Sequence, residues 1–187
     1  MKKLLSICAL ALLCACGDTL NTTLTTFVVP EDRAKIDALL ADPTKLRNFL
    51  ANTTRKTWNS RHGTQVEYMS ADGHTWLVYP GNIASVDGEW QVQGANGQSK
   101  VCFRYGANTY NPVTRKPGGR WNCVPSITVL MNPSSQIVDG DVLKLRGRGA
   151  FPQTMPYRTN ISLNTIKKAV GLGPLTQPNK IAWRETR

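Results

Sequence analysis

The sequence predicts an α+β fold, mainly antiparallel β, in which a small barrel or sandwich lies between an N-terminal two-helix segment and a short C-terminal helix. Short stretches rich in β-branched and aromatic residues recur in residues 57–146, separated by turn pairs such as Asp72-Gly73 and Asn96-Gly97. Apolar residues at helical spacing occur before this region and again near the C-terminus. No internal repeat divides residues 30–187, so we expect a single domain.

Two helices are expected in residues 30–52. The first is predicted to begin at Pro30. Asp42 followed by Pro43 is typical of an N-cap with proline at the first helical position, and it predicts the start of the second helix. In the extension at residues 147–187, Ser162 is predicted to cap a short helix.

Seven strands are expected in the β core. Large apolar residues such as Trp90 and Val92 alternate with polar ones, which predicts one buried and one exposed face. The Asp87-Gly88 pair is predicted to be a turn. The predicted strands are residues 65–69, 75–79, 84–86, 89–93, 100–105, 120–124 and 142–146.

The first 16 residues have the three zones of a bacterial secretory signal. Two lysines precede an apolar zone that is too short to span a bilayer, and Leu13-Cys14-Ala15-Cys16 follows. This last segment resembles the lipobox of bacterial lipoproteins. The resemblance implies that residues 1–15 form the signal peptide and that Cys16 becomes an acylated N-terminus, anchored in the lipid bilayer by chains such as palmitate. The alternative is an ordinary signal peptide cut near Ala15.

The position of the protein in the cell follows from the residues after Cys16. Residues 16–29 are predicted to be a tether rich in Thr and Asn. Gly17, where enterobacterial lipoproteins of the inner membrane have Asp, favours the outer membrane. We therefore expect a lipid-anchored protein of the cell envelope, in the outer membrane and facing the periplasm.

If residues 1–15 are removed and Cys16 is acylated, the predicted mature chain has two further cysteines, Cys102 and Cys123. An even pair in an oxidising compartment predicts a disulfide, which closes a loop of about 20 residues and stabilises the fold by about 3 kcal/mol. Free thiols or a metal site are the alternatives, but His62 and His74 are not spaced to complete a zinc site. We expect no metal and no cofactor.

The chain is strongly basic, with 23 Lys and Arg against 12 Asp and Glu and a net charge of +11. Anionic partners of the envelope would suit such a surface, including lipopolysaccharide phosphates, phospholipid headgroups and cell-wall polymers. An envelope protein is another candidate partner, and a basic surface without a specific ligand is the alternative to all of these. Nucleic acid is disfavoured because the sequence has no basic helix or aromatic sheet motif.

A second resemblance covers residues 57–146. Residues 67–73 have the form E-Y-x-x-x-D-G, and G-x-W at residues 88–90, Cys102-Phe103 and Cys123 follow in order. This order is similar to that of small secreted β-domains of unknown function in alphaproteobacteria. The resemblance implies a β fold and a secreted location, and it implies no particular activity.

The segment between Cys102 and Cys123 is the best candidate for a binding site. Its cations, aromatic rings and Asn side chains suit an anion or a sugar, because cations pair with phosphate or carboxylate and rings stack on apolar faces. The alternative is a structural hairpin connection that the disulfide keeps from fraying. The candidate ligand-binding residues are Arg104, Tyr110, Arg115, Lys116, Arg120 and Trp121.

These features favour a non-catalytic binding or structural role in the envelope, and we predict no catalytic residue. The sequence contains no G-x-S-x-G, P-loop or H-E-x-x-H motif. His62 and His74 lie beside predicted turns. The carboxylates that could pair for glycoside hydrolysis are Glu67, Asp72, Asp87 and Glu89, and three of these four also lie in or beside predicted turns. The alternative is a periplasmic enzyme acting on cell-wall or lipid substrates, which a pocket joining a histidine to a carboxylate would favour.

Overall fold

The computed structural model describes residues 27–94, 97–152 and 155–186 of the chain. Over these residues the fold is α+β, with mostly antiparallel strands in a curled half-barrel sheet and four helices. This architecture confirms the predicted class. Cys16, the signal segment and residues 16–26 of the predicted tether lie outside the described residues. Within the described part, every helix is too short or too polar to cross a membrane.

The elements are numbered in chain order. The helices are α1 (Arg33–Ala41), α2 (Pro43–Leu50), α3 (Ser126–Leu130) and α4 (Leu163–Ala169). The main sheet contains β2 (Thr53–Asn59), β3 (Gly63–Met69), β4 (His74–Val78), β5 (Val86–Gln93), β6 (Lys100–Tyr105), β9 (Asn122–Pro125) and β10 (Gln136–Asp139). Two small antiparallel pairs join β1 (Phe27–Pro30) to β11 (Trp183–Thr186) and β7 (Tyr110–Asn111) to β8 (Lys116–Pro117).

The main sheet has the strand order β10-β2-β3-β4-β5-β6-β9. Strands β2 to β6 form a meander, in which each strand pairs with the next one along the chain. The edges β10 and β9 do not pair with each other, so the curled sheet stays open and does not close into a barrel.

Both faces of the sheet are covered at its centre. On one face, called here the helix face, Met69, Trp90 and Ile137 pack in one core with residues of α1, α2 and α3. On the opposite face, Val66 and Val138 pack with α4 and with Val142, Leu143, Leu145, Phe151 and Met155. The central strand β3 is therefore buried on both sides, and the predicted exposed face is wrong for this strand.

Side-chain caps explain where the helices begin. Asp42 accepts hydrogen bonds from the backbone N–H groups of Thr44 (2.9 Å) and Lys45 (3.0 Å), which confirms the predicted cap of α2. Ser162 caps α4 as predicted. The predicted start of α1 at Pro30 is wrong, because this residue ends β1 and Asp32 provides the cap.

Several predicted boundaries differ from the observed ones. Residues 27–29, predicted as tether, belong to β1, and the main sheet begins at Thr53 and not near residue 57. Residues 142–146 form turns and not a strand, because the Asp141 carboxylate accepts hydrogen bonds from the backbone N–H groups of Leu145 and Arg146 and curls this segment. The predicted Asp87-Gly88 turn lies inside β5.

Candidate functional site

The connection between β6 and β9, residues 106–121, forms an ordered arch over the end of the helix face. Its two legs are joined by hydrogen bonds from the Gly118 N–H to the Thr109 carbonyl (2.9 Å) and from the Gly119 N–H to the Tyr105 carbonyl (2.8 Å). The Asn111 side chain accepts from the N–H groups of residues 113 and 114, both at 3.0 Å. The arch is therefore preorganised by its own hydrogen bonds.

The two cysteines close the base of the arch. Cys102 on β6 lies directly opposite Cys123 on β9, with 4.0 Å between the Cα atoms. The two sulfur atoms are at disulfide distance, as the sequence predicted. This bond ties the edge strand β9 to the sheet.

A cleft of about 440 Å³ lies between the arch and the sheet. Phe103 and Tyr105, which point from β6 to the helix face, contribute to its wall together with Trp121 at the far leg of the arch. Two cations, Lys116 and Arg120, also line it, and no carboxylate does. The volume is in the range of small-molecule sites. The other lining residues are Thr109, Asn111, Thr114, Pro117, Gly118 and Asn122.

The hydroxyl group of Tyr105 belongs to a buried polar network centred on Glu67. Glu67 Oε1 accepts hydrogen bonds from the hydroxyl groups of Tyr105 and Thr75, the latter at 3.0 Å. Glu67 Oε2 pairs with the guanidinium of Arg55 at 3.0 Å. The Glu67 side chain is 5% exposed, so these partners replace water around the carboxylate. Burial, and then the Glu67 charge, raises the pKa of Tyr105 well above its ordinary value.

Gly88 makes room for the Tyr105 ring. A Cβ atom at Gly88 would lie 2.6 Å from Cδ1 of Tyr105, so only glycine lets the ring lie across β5 at this point. This close approach explains why Gly88, which was predicted to be part of a turn, lies inside strand β5.

Three of the six predicted ligand-binding residues line the cleft: Lys116, Arg120 and Trp121. Arg104 lies on the opposite face of β6, because its cross-strand partner Glu89 alternates with Trp90 along β5. Its guanidinium is 2.5 Å from the Glu89 carboxylate and 4.9 Å from the centroid of the Trp121 ring. Arg104 thus packs against a residue of the cleft and does not line the cleft itself.

The remaining two predicted residues, Tyr110 and Arg115, lie on the arch outside the cleft. The Tyr110 carbonyl accepts a hydrogen bond from the Tyr79 hydroxyl (3.1 Å), and Tyr110 as a residue is 55% exposed. Arg115 is exposed at the turn of the arch, with a φ of 55°. The structure does not bring these two side chains together with Lys116 and Arg120 in the cleft.

Sequence reasoning missed the parts of the site that come from β2, β3 and β6. Phe103 and Tyr105 line the cleft, but neither was among the predicted ligand-binding residues. Arg55 and Glu67 are directly opposite each other on β2 and β3. An Arg and a Glu on neighbouring strands could have been recognised as a pair, but β2 was not predicted.

Neither histidine lines the cleft, although the cavity of His62 shares Tyr105, Thr109 and Asn111 with it. His62 lines a smaller cavity with Tyr79 and Tyr110, and burial and the nearby Arg61 charge lower its pKa. His74 lines a shallow groove together with Asp87 and Glu89. In the part of the chain that the structure describes, no hydrogen bond joins a histidine side chain to a carboxylate, and no cluster of three His, Cys, Asp or Glu side chains could hold a metal ion.

Comparisons of the chain with family models, curated proteins and solved structures find no match. The similarity to secreted alphaproteobacterial β-domains stays a prediction from the motifs between residues 67 and 123. Any function therefore has to be inferred from the cleft and its surroundings.

Proposed function

We propose that this protein is a lipid-anchored protein of the cell envelope that binds an anionic, sugar-like ligand in the cleft below the arch. The lipobox-like segment ending at Cys16 supports the anchor. One observation carries the binding role: two cations and three aromatic rings line the cleft, and no carboxylate does. The proposed role is binding without catalysis.

The charge of the cleft favours an anion. Lys116 and Arg120 line it, and no Asp or Glu occurs in residues 90–138, which contain the whole arch. A guanidinium binds phosphate or carboxylate with two parallel hydrogen bonds, and an ammonium adds a mobile point charge. A neutral ligand would leave both cations without a partner.

The rest of the cleft favours a sugar ring as the body of the ligand. Trp121, Phe103 and Tyr105 provide flat apolar surfaces, while Asn111 and Thr114 can exchange hydrogen bonds with hydroxyl groups. Phosphorylated or carboxylated sugars combine both kinds of group, and they are abundant in the bacterial envelope.

The environment of Glu67 supports binding over catalysis. Its two oxygens already accept from Thr75, Tyr105 and Arg55, so they are not free to take a proton from a substrate. A periplasmic enzyme would need another base within reach of the cleft, and neither histidine lines it.

Calorimetric titration of the protein with phosphorylated core oligosaccharide released from lipopolysaccharide tests this proposal. We expect binding that weakens as salt concentration rises and that falls about tenfold or more in the Lys116→Gln, Arg120→Gln variant, because a hydrogen bond to a charged group contributes about 1.5 kcal/mol or more. The matched control, Lys100→Gln with Arg115→Gln, removes the same charge outside the cleft and should bind like the parent protein.

Two results would contradict the proposal. Equal weakening in the two charge variants would mean that only the overall charge attracts the oligosaccharide. Equal affinity for the enzymatically dephosphorylated oligosaccharide would mean that the cations do not recognise its anionic groups.

A further inference from the structure

Three large apolar side chains are strongly exposed at one end of the molecule. Ile83 is 68% exposed, Tyr157 57% and Tyr110 55%. Large apolar side chains scattered singly are normal on a protein surface, but a group of them in one place indicates a contact surface.

Direct contacts show that the segments carrying these side chains lie together. The Tyr157 hydroxyl lies against Gly81, two residues before Ile83. The Tyr79 hydroxyl donates to the Tyr110 carbonyl at 3.1 Å. We call this region the tyrosine end, and it comprises residues 58–63, 79–85, 109–111 and 155–159.

The turn between β2 and β3 completes the tyrosine end. Trp58 Nε1 donates to the Arg158 carbonyl at 3.2 Å, and Gly63 packs so closely against Pro80 and residues 156–158 that a Cβ atom there would clash. His62 lines one cavity with Tyr79 and Tyr110. The four segments thus form one continuous surface.

The charged side chains of the tyrosine end are all basic. Its four segments contain no Asp or Glu. Arg61 and Arg158 are exposed, and no salt bridge among the described residues engages either of them. The exposed apolar side chains are therefore accompanied by cations that pair with no acidic side chain of the described residues.

We propose that the tyrosine end docks on the surface of an anionic phospholipid bilayer. Tyr and Trp side chains favour the headgroup region, where the ring is in an apolar environment and the polar atom stays hydrated. The exposed Ile83 can enter the acyl boundary, and Arg61 and Arg158 can pair with lipid phosphates. A soluble anionic polymer would use the cations but would leave the exposed Ile83 unexplained.

This surface borders the proposed ligand cleft, because Thr109 and Asn111 belong to both. The cations of the cleft, Lys116 and Arg120, and its Trp121 are not part of the tyrosine end, and the segments 58–63, 79–85 and 155–159 contribute nothing to the cleft. Docking would not depend on an acyl group at Cys16, although an anchored chain would keep the tyrosine end near a bilayer. The two proposals can fail independently.

Amide hydrogen exchange of the full-length chain, with and without lipid vesicles, tests the docking surface. We expect phosphatidylglycerol vesicles to slow exchange in residues 59–63, 80–84 and 156–158, and phosphatidylcholine vesicles to leave these segments unchanged. This readout is local, so a membrane contact made elsewhere in the chain does not mimic it. Raised salt should reduce the protection.

A variant and a charge-matched control separate docking from general attraction. Arg61→Gln, Arg158→Gln, Ile83→Ser and Tyr157→Ser together should abolish the local protection, while circular dichroism checks that the variant is folded. Arg61→Gln with Arg158→Gln alone should raise the lipid concentration needed for half-maximal protection about 25-fold, at about fivefold per cation. Lys100→Gln with Lys168→Gln, which removes equal charge elsewhere, should keep the parent protection.

The proposal is overturned if phosphatidylglycerol vesicles leave the three segments unprotected, or if neutral vesicles protect them equally. It is also overturned if the folded four-site variant keeps its protection, or if the control variant loses as much as the two-arginine variant.

Discussion

Glu67 connects the interior of the sheet to the cleft. Its carboxylate accepts from the hydroxyl of Tyr105, a residue of the cleft wall, and pairs with Arg55 on the neighbouring strand. The Arg55 guanidinium in turn lies 5.4 Å from the centroid of Phe103, a second wall residue. The shape of the cleft wall therefore depends on a charged residue that does not itself line the cleft.

Removing the Glu67 charge should destabilise the fold strongly. Glu67→Gln leaves the guanidinium of Arg55, whose side chain is 12% exposed, without its anion. We expect a loss of about 3 kcal/mol in the free energy of unfolding, measured by urea denaturation. The Arg55→Gln, Glu67→Gln double variant should lose clearly less than the sum of the two single losses, and additive losses would show that the pair is not coupled.

Tyr105 should make the fold sensitive to high pH. Burial and the Glu67 charge raise the pKa of its hydroxyl well above the ordinary 10.0, so the folded protein keeps a proton that the unfolded chain loses. The free energy of unfolding should therefore keep its full value below about pH 10 and should fall as the pH rises above 10. In Tyr105→Phe this fall should be shallower, whereas Tyr68 and Tyr79, whose pKa values burial also raises, contribute equally to both proteins. Urea midpoints measured between about pH 9 and pH 11 check this, and identical slopes would contradict it.

Among the elements, those with a local signal could be predicted from the sequence. The Asp42-Pro43 cap, the Ser162 cap and the cysteine pair were correctly predicted because each depends on neighbouring residues or on a pairing with few alternatives. The strands β3, β4 and β6 were predicted to within two residues from their composition.

Elements that depend on distant contacts could not be predicted. Strand β2 was missed because it carries Arg55 and Lys56, and charged residues do not indicate a central strand. Lys56 is 3% exposed, and its ammonium donates to the Ser134 carbonyl (2.8 Å) and to the Asn160 side chain, more than 70 residues away in the chain. Three of the six predicted ligand-binding residues line the cleft, because these three lie on the same loop, and the wall residues on β6 were recognised only from the fold.

The disulfide between Cys102 on β6 and Cys123 on β9 should account for much of the stability of the arch. Reduction, or Cys102→Ala with Cys123→Ala, frees a loop with a sequence separation of 21 and releases an edge strand that pairs only with β6. We expect a loss of about 3 kcal/mol in the free energy of unfolding, measured by urea denaturation of the oxidised and reduced protein. Coincident unfolding curves would contradict a stabilising bond.

At the scale of the whole molecule, basic charge is spread unevenly. All 12 Asp and Glu lie outside residues 90–138 and 142–184. The arch and most of the C-terminal third of the chain therefore contain basic residues and no acidic ones. All residues that line the cleft lie in the first of these acid-free segments, and residues 109–111 and 155–159 of the tyrosine end lie in them as well. An anchored protein with this distribution would meet anionic envelope components with its arch and the end beside it.

The proposed anchor can be tested on the intact protein in bacteria. Metabolic labelling with palmitate should label the parent chain, and Cys16→Ala should remove the label because that thiol is the proposed acylation site. Cys14→Ala, which changes the neighbouring cysteine, is the control and should keep the label. Label that persists after Cys16→Ala would contradict the anchor.

The proposed role of the cleft is tested most directly by the indole N–H signals of the five Trp residues in a nitrogen–proton correlation spectrum. Trp121 is the one that lines the cleft, whereas Trp90 is buried under the helices and Trp58 lies at the tyrosine end. During titration with phosphorylated core oligosaccharide, we expect the Trp121 signal to shift in proportion to binding, with the signals of Trp90 and Trp58 unchanged. A bound complex in which Trp121 does not shift would contradict a ligand in this cleft.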